Sequence, residues 1–281
     1  MNFRFARDVG LLRYFFRSLR RKYWIWFKRN PHTVFLPTGL PIQLPKGSGC
    51  ASEVFITQCN IDWGSEALLA SLVDPKGMFL DVGANIGYYT LYMLPKVTGV
   101  IAVEPDPRNL SALAANLREH SNVYTHATPV FREESDVWFE QGPRGDTSAI
   151  RFGGPTPRTI PLRAVTLDSV WYAHGKPFIT AIKIDVEGSD FDVLQSAEGL
   201  VDRDHPLILM ELNRRSDLPQ LHAWASGHSY SLFAYVRACE GDRGARSPRL
   251  RPISRSENSD WKMIFVVPAR LKQTFCNRAD A

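Results

Sequence analysis

Leu12, Phe15, Phe16, Leu19, Tyr23 and Trp26 recur at helical spacing near the start of the chain, while Arg13, Arg17, Arg20 and Arg21 mostly fall off that stripe. The pattern predicts an amphipathic helix that ends by Pro31, because proline disfavours the helical conformation in the residue before it. Pro37, Gly39, Pro41, Pro45, Gly47 and Gly49 then mark a turn-rich connector with a short hairpin at 33–44. A helix is expected at 63–73. From residue 78 short apolar runs alternate with helical patterns: strands at 78–82, 99–103, 122–127, 178–184 and 207–212, and helices at 87–95, 107–119, 167–174, 189–198 and 217–226. The glycine- and proline-rich stretch 130–163 predicts short antiparallel strands. Strands alternating with helices imply a mostly parallel sheet covered on both faces. Two late strands, 229–236 and 261–267, read as an antiparallel edge hairpin. The chain divides into a helical arm (1–31), a connector and lead-in (32–76), a ligand-binding domain (77–270) and a tail (271–281).

Composition narrows this further. With 281 residues and 44% hydrophobic content the chain folds and buries a full core without staples. Cys50, Cys59, Cys239 and Cys276 form no CxxC pair, which disfavours a disulfide framework or a zinc ribbon and points to a reducing compartment. No apolar run approaches the roughly 18 residues that span a bilayer, and arginines interrupt every candidate signal-peptide core. The expected location is cytoplasmic, with the inner membrane face as an option. The formal charge of +5 is unevenly placed: residues 1–31 hold nine basic residues and one acid, and the remainder carries a net −3. A nucleic-acid-binding body is therefore not expected. The arm suits a lipid headgroup interface. The competing readings are a stripe packed on the protein's own domain, with the arginines outside, and an oligomerisation helix.

The strongest chemical signal is MFLDVGANIGYYT at 78–90. A buried strand runs into Asp81, then a tight turn of small residues, then a helix. Small residues let a backbone approach a ligand, and ligands bind at the carboxyl ends of parallel strands. Glu104 follows Gly87 by seventeen residues and closes the strand VIAVEPD, where a carboxylate accepts both hydroxyls of a ribose. The order Gly83-x-Asn85-x-Gly87 is not the dinucleotide fingerprint G-x-G-x-x-G, and no Walker lysine follows. A ligand with a ribose but no pyrophosphate fits, and S-adenosyl-L-methionine (SAM) is one.

FLDVGANIGYYT, VEPDPRN, IKIDVEGSDFDVLQSAEGL and LILMELN together resemble the FkbM family of SAM-dependent methyltransferases over roughly residues 60–215. The resemblance implies a class I (Rossmann-like) seven-stranded sheet and methyl transfer to a hydroxyl oxygen of a small molecule, sugar or glycan. It also implies roles at matched positions. Asp81 orients the turn or binds the methionine amino group. Gly83, Ala84, Asn85 and Gly87 contact the methionine portion, Glu104 binds the ribose, and Pro105 and Asp106 lie beside the adenosine. His126 and Ala127 sit where adenine is held, although His126 also reads as an exposed strand end. Glu66 faces the cofactor's amino acid end or is an exposed helix residue. The arm and the arginine-rich stretch 237–255 lie outside what the family explains.

A hydroxyl is a poor nucleophile until a base takes its proton. Asp185 and Glu187 end the strand IKIDVEG on one side, by alternation, and are the candidate bases. Lys183 shares that side and would lower a neighbouring acid's pKa. The structural alternative has one acid capping the helix at 189. Glu211 and Asn213 end LILMELN and are expected to bond the acceptor or the Gly83 turn. Asp185 with Glu211 as an Mg²⁺ site keeps a divalent metal open. Arg243 and Arg246 would hold an anionic acceptor, if the arginine-rich stretch is more than a solvated loop. A nucleic-acid methyltransferase is the alternative enzyme, but IDVEG is not an Asn/Asp-Pro-Pro-aromatic run and no Pro-Cys pair is present. The remaining alternative is a non-catalytic, membrane-associated protein that kept the fold.

Overall fold

The structure, a computed structural model, describes residues 4–28, 30–143, 147–237 and 247–279. Two helices open it, α1 (Arg4–Val9) and α2 (Leu11–Phe27), separated by Gly10 at a φ of 86°. A hairpin follows, β1 (His32–Phe35) and β2 (Pro41–Leu44), and then α3 (Gly49–Thr57) and α4 (Ser65–Leu72). The alternating region runs β3 (Met78–Val82), α5 (Tyr88–Met93), β4 (Val100–Val103), α6 (Pro107–Leu117) and β5 (Val123–His126). β6 (Ser135–Glu140), β7 (Ala149–Arg151) and β8 (Thr159–Ala164) make a separate antiparallel sheet ordered β7-β6-β8. The chain then forms α7 (Leu167–Ala173), β9 (Ile179–Ile184), α8 (Asp190–Gln195), α9 (Glu198–Asp204), β10 (Leu207–Met210) and α10 (Leu218–Gly227). It closes with β11 (Tyr230–Arg237), β12 (Arg249–Pro252), β13 (Asp260–Pro268) and α11 (Lys272–Ala279).

The main sheet has the order β12-β11-β13-β10-β9-β3-β4-β5. The five strands from β10 to β5 pair in parallel, and β13 joins β10 antiparallel. The chain winds outward from β3 through β4 and β5, then returns to β9 on the other side of β3. That reversal opens a crevice at the carboxyl ends of β3 and β9, where open α/β sheets bind ligands.

Alternation along the central strands builds two cores. Phe79, Val100, Ala102, Ala181, Leu207 and Leu209 face a layer formed with α3 to α6 and α11. Leu80, Val82, Ile101, Val103, Ile182, Ile184, Ile208 and Met210 face a second layer with α7 to α10. Burial on both faces explains why these strands read as continuous apolar runs.

Four features depart from the expected pattern. The sheet has eight strands, not seven, because β12 adds an edge to β11; its sequence RLRP carries the charge and proline that suit a solvated edge and hide a strand signal. The late strands are not wholly an edge hairpin, since β13 lies between β10 and β11. The end of the chain is not a simple tail: Phe275 of α11 is fully buried, its ring 4.9 Å from Phe233 and 5.1 Å from Phe265. Leu36, Ile42, Leu44, Ala51 and Val54, from the segment read as a connector, pack into the same core as Phe79.

In the arm the stripe faces away from the domain. Leu11, Leu12, Phe15, Phe16, Leu19, Tyr23, Trp26 and Phe27 are each more than half exposed, whereas Tyr14, Ser18 and Arg21 are buried. Arg21 donates to Pro45 O at 2.7 Å and Leu44 O at 3.3 Å; Arg17 donates to Ile56 O at 2.6 Å and to Gln58. The expectation of a stripe packed on the domain with arginines outside is reversed, because two arginines find orphan carbonyls that apolar side chains cannot satisfy. No helix among the described residues is long and apolar enough to cross a membrane.

Candidate active site

A cavity of about 380 Å³ occupies the crevice. Its floor is the turn after β3. Gly83 has a φ of 79°, and a Cβ there would lie 1.9 Å from Asp185 O, so only glycine lets the ends of β3 and β9 meet this closely. The Gly83 and Ala84 amides both donate to Val103 O at 2.9 Å, and Asn85 continues the turn at a φ of 52°. Asn85 Oδ1 is buried and has no hydrogen-bond partner among the described residues.

Glu104 stands where β4 ends. Its Oε2 accepts from Asn85 N at 2.8 Å, and its Oε1 from Asp106 N at 2.9 Å and Asn109 Nδ2 at 3.3 Å. Burial pushes its carboxyl up to about 7 despite those three donors. The carboxylate is thus locked in place and borders the cavity.

At the end of β9 a buried ammonium organises the acids. Lys183 Nζ donates to Gly83 O at 2.7 Å and lies 3.3 Å from Asp185 Oδ2 and 3.7 Å from Asp81 Oδ1. Burial works to raise the Asp185 carboxyl, but Lys183 and a hydrogen bond from Glu211 outweigh it and leave the pKa below the usual value. Glu211 is driven the other way, first by burial and then by the Asp185 charge, so it holds a proton at neutral pH. The side chain of Asp185 remains 36% exposed, toward the cavity it lines. Oxygens of Asp185, Glu187 and Glu211 lie within 4.8 Å of one another, a donor set of the kind hard cations accept. Glu187 adopts a φ of 55° ahead of Gly188 at 100°. No side chain caps the helix that follows; the loop before it is tied instead by Asp190, the first residue of α8, which accepts from Val186 N at 2.9 Å and Gly188 N at 3.2 Å.

Of the residues singled out in the sequence, Gly83, Ala84, Asn85, Glu104, Pro105, Asp185, Glu187, Glu211 and Asn213 border the cavity. Asp81, Gly87, Asp106, Glu66, His126 and Ala127 do not. Asp81 is buried beneath the turn, where it accepts from Thr90 Oγ1 at 2.6 Å. Gly87 is the N-cap position just before α5, and Asp106 caps α6 and pairs with Arg108 at 2.6 Å. Glu66 is neither at the cavity nor exposed; its Oε1 accepts from Ile61 N, Asp62 N and Tyr88 Oη. His126 is spent on His174, their Nε2 atoms 2.7 Å apart, and the wall beyond β5 comes from Thr128, Pro129 and Val130. Arg243 and Arg246 lie outside the described residues. Of the other arginines in that stretch, Arg237 pairs with Asp8 at 2.9 Å and Arg251 with Glu257 at 2.8 Å.

The opposite wall was not visible in the sequence. Asp62 accepts from Tyr89 Oη at 2.6 Å, and burial raises its carboxyl against the pull of Lys262. Lys262 of β13 lies 3.1 Å from Glu53 and 3.2 Å from Asp8, and Phe5 of α1 completes the wall. These residues are far apart in sequence and carry no motif; the lone buried-strand lysine in DWKMIFVV was the only available signal.

A family model described as the methyltransferase FkbM domain matches residues 81–238. Among curated proteins, ribosomal RNA small subunit methyltransferase A of Thermobifida fusca (strain YX) is 40% identical over 57 residues, 20% of this chain and 20% of its own. Among solved structures, the methyltransferase FkbM of Methylobacillus flagellatus KT aligns with a TM-score of 0.46 and 16% identity, over 76% of this chain and 52% of that one. M. capricolum TrmK, solved with S-adenosyl-homocysteine, aligns with a TM-score of 0.37 and 13% identity, over 72% and 66%. The chain thus spans a fifth of that curated relative and about half of the Methylobacillus protein.

Proposed function

This chain belongs to the FkbM family of SAM-dependent methyltransferases, and from that premise we propose that it methylates a hydroxyl oxygen of a small molecule, sugar or glycan precursor. The observation that carries the reading is the Asp185 carboxylate, kept ionised by Lys183 and open to the crevice beside the Gly83 turn.

The residues present suit the cofactor. The Glu104 carboxylate offers acceptors for ribose hydroxyls, and the partnerless Asn85 Oδ1 accepts from an amino group. When bound, SAM supplies a methyl group on a sulfonium, a leaving group that departs without charge. The protein's remaining task is alignment and proton removal. Asp185, ionised across neutral pH, accepts the acceptor's hydroxyl proton, and Glu187 is the second candidate on the same rim. Glu211, holding its own proton, steadies Asp185 by a hydrogen bond. A divalent cation on the same three carboxylates is the alternative way to hold the acceptor oxygen; it would displace the Glu211 proton. An anionic or lipid-linked acceptor draws no support from the two lysines that line the cavity, because Lys183 and Lys262 are both paired with carboxylates.

Transfer of an isotope-labelled methyl group from SAM into fractionated cell extract, with the product identified by mass, tests the reaction. A labelled ether is expected. A labelled nucleic acid would instead support the alternative enzyme, and no transfer into any fraction would support the non-catalytic one. Asp185→Asn or Glu187→Gln, whichever removes the base, should lower turnover by about 10²–10⁴-fold with little change in SAM affinity. Full activity in both variants removes the carboxylates from the mechanism. Glu211→Gln, which keeps a donor toward Asp185, should retain most activity, and loss of activity with chelator would favour the metal.

A further inference from the structure

The most unusual surface of the molecule is α2. Leu12 is 76% exposed, Phe16 65%, Trp26 73% and Phe27 68%, and Leu11, Phe15, Leu19 and Tyr23 join them on the side away from the domain. A helix of this length presents a strip about 25 Å long. Exposed apolar surface on this scale marks an interaction site. Its charge says which kind. Arg13, Arg20, Lys22 and Lys28 are exposed along the same helix and its end, and no Asp or Glu occurs from residue 9 to residue 52. A second copy of the chain would bring these cations against their own kind. An anionic lipid surface takes both the cations and the aromatic strip, and Tyr and Trp favour the headgroup level.

The helix is held for this orientation. Arg17 and Arg21 anchor its inner face to the carbonyls of Leu44, Pro45 and Ile56. Asp8 of α1 pairs with Arg237 and Lys262. We propose that α2 lies in the interface of an anionic bilayer, with its aromatic strip among the lipids and its docked arginines toward the domain. Because α1, one glycine away, lends Phe5 to the cavity wall, the lipid surface and the acceptor crevice share one segment of chain. The lipid contact stands independently of the acceptor's identity; failure to bind lipid leaves methyl transfer untouched, and the reverse also holds.

Vesicle flotation of the full chain tests this. Binding is expected to phosphatidylcholine vesicles containing about 30% phosphatidylglycerol, not to phosphatidylcholine alone, and to weaken as salt is added. Arg13→Gln, Lys22→Gln and Lys28→Gln together should lower partitioning about a hundredfold, at roughly fivefold per cation. Phe16→Ser, Leu19→Ser and Trp26→Ser together should lower it at least about tenfold. All six side chains are exposed, so the thermal midpoint should stay at the wild-type value. As a measurement on the folded parent, acyl-chain-brominated lipid should quench fluorescence that Trp26→Phe removes. No binding to anionic vesicles overturns the proposal, as does wild-type partitioning by either triple variant. So does a concentration-dependent dimer in lipid-free buffer that the serine variant abolishes, which would make a second copy the occupant.

Discussion

Gly83 and Glu104 show how much one side chain decides. At Gly83, alanine would suffer the left-handed backbone cost of about 1–2 kcal/mol and would also drive its Cβ into Asp185 O, 1.9 Å away. Gly83→Ala is therefore expected to lower the melting temperature and abolish SAM binding by calorimetry. At Glu104 the ionised form is the better acceptor for two hydroxyls, and its carboxyl titrates at about 7. Bound SAM should favour the anion, so affinity should rise with pH and be about tenfold weaker at pH 6 than at pH 8. Glu104→Gln should weaken binding throughout and remove that slope. A slope unchanged in the variant would assign the titration to another group. Both positions were legible because a strand, a small-residue turn and a second strand-end acid lie within a short stretch of chain. His126 was not: its partner His174 is 48 residues away, and nothing near it in the sequence announces a histidine pair.

At the scale of elements, the arm and the last helix are fixed by a few buried groups. Asp8, Arg237 and Lys262 are all nearly buried, so Asp8→Asn leaves two cations short of a partner. Breaking such a pair costs about 3–5 kcal/mol. Hydrogen exchange should show faster opening of α1 and α2 while β3, β4 and β9 stay protected. Phe275→Ala would open a cavity between Phe233 and Phe265 and should cost about 3–5 kcal/mol, read as a fall in the denaturation midpoint. The elements that escaped sequence reasoning share a cause. The turn formers of 45–49 mask α3, whose cap is Ser48 accepting from Ala51 N at 3.1 Å. The polar KQTFCNRA masks α11, which buries Phe275, half-buries Cys276 and leaves Lys272, Gln273, Thr274, Asn277 and Arg278 exposed. β12 is masked by its arginines and proline. Helices and strands that bury only a narrow face carry little periodic signal.

For the molecule as a whole, buried acids set the response to pH. Burial raises Glu66 to about 7, with Asp62 adding to it, and Asp190 to about 6. Folded pKa values above the unfolded ones mean that the native state binds more protons between about pH 4.5 and pH 7. The stability these acids contribute should therefore fall as pH rises through that window, against an opposite contribution from His32, His126, His174 and His222, whose pKa values burial lowers, and Glu66→Gln should remove part of the fall in a series of thermal melts. A pH profile of stability unchanged in Glu66→Gln would contradict the buried-acid picture. The parallel sheet and the family follow from the sequence alone, because apolar period and turn chemistry act over a few residues. The contiguity of the Gly83 turn, Glu104 and the β9 acids is likewise written locally, each at the end of its own strand. Only the tertiary structure decided that Lys183 would also reach Asp81 and the Gly83 carbonyl, that Lys262 would join Asp62 on one cavity wall, and that α2 would turn its aromatic side outward. Those outcomes depend on pairings between residues tens to hundreds of positions apart, where burial and charge balance, not spacing, select the partner.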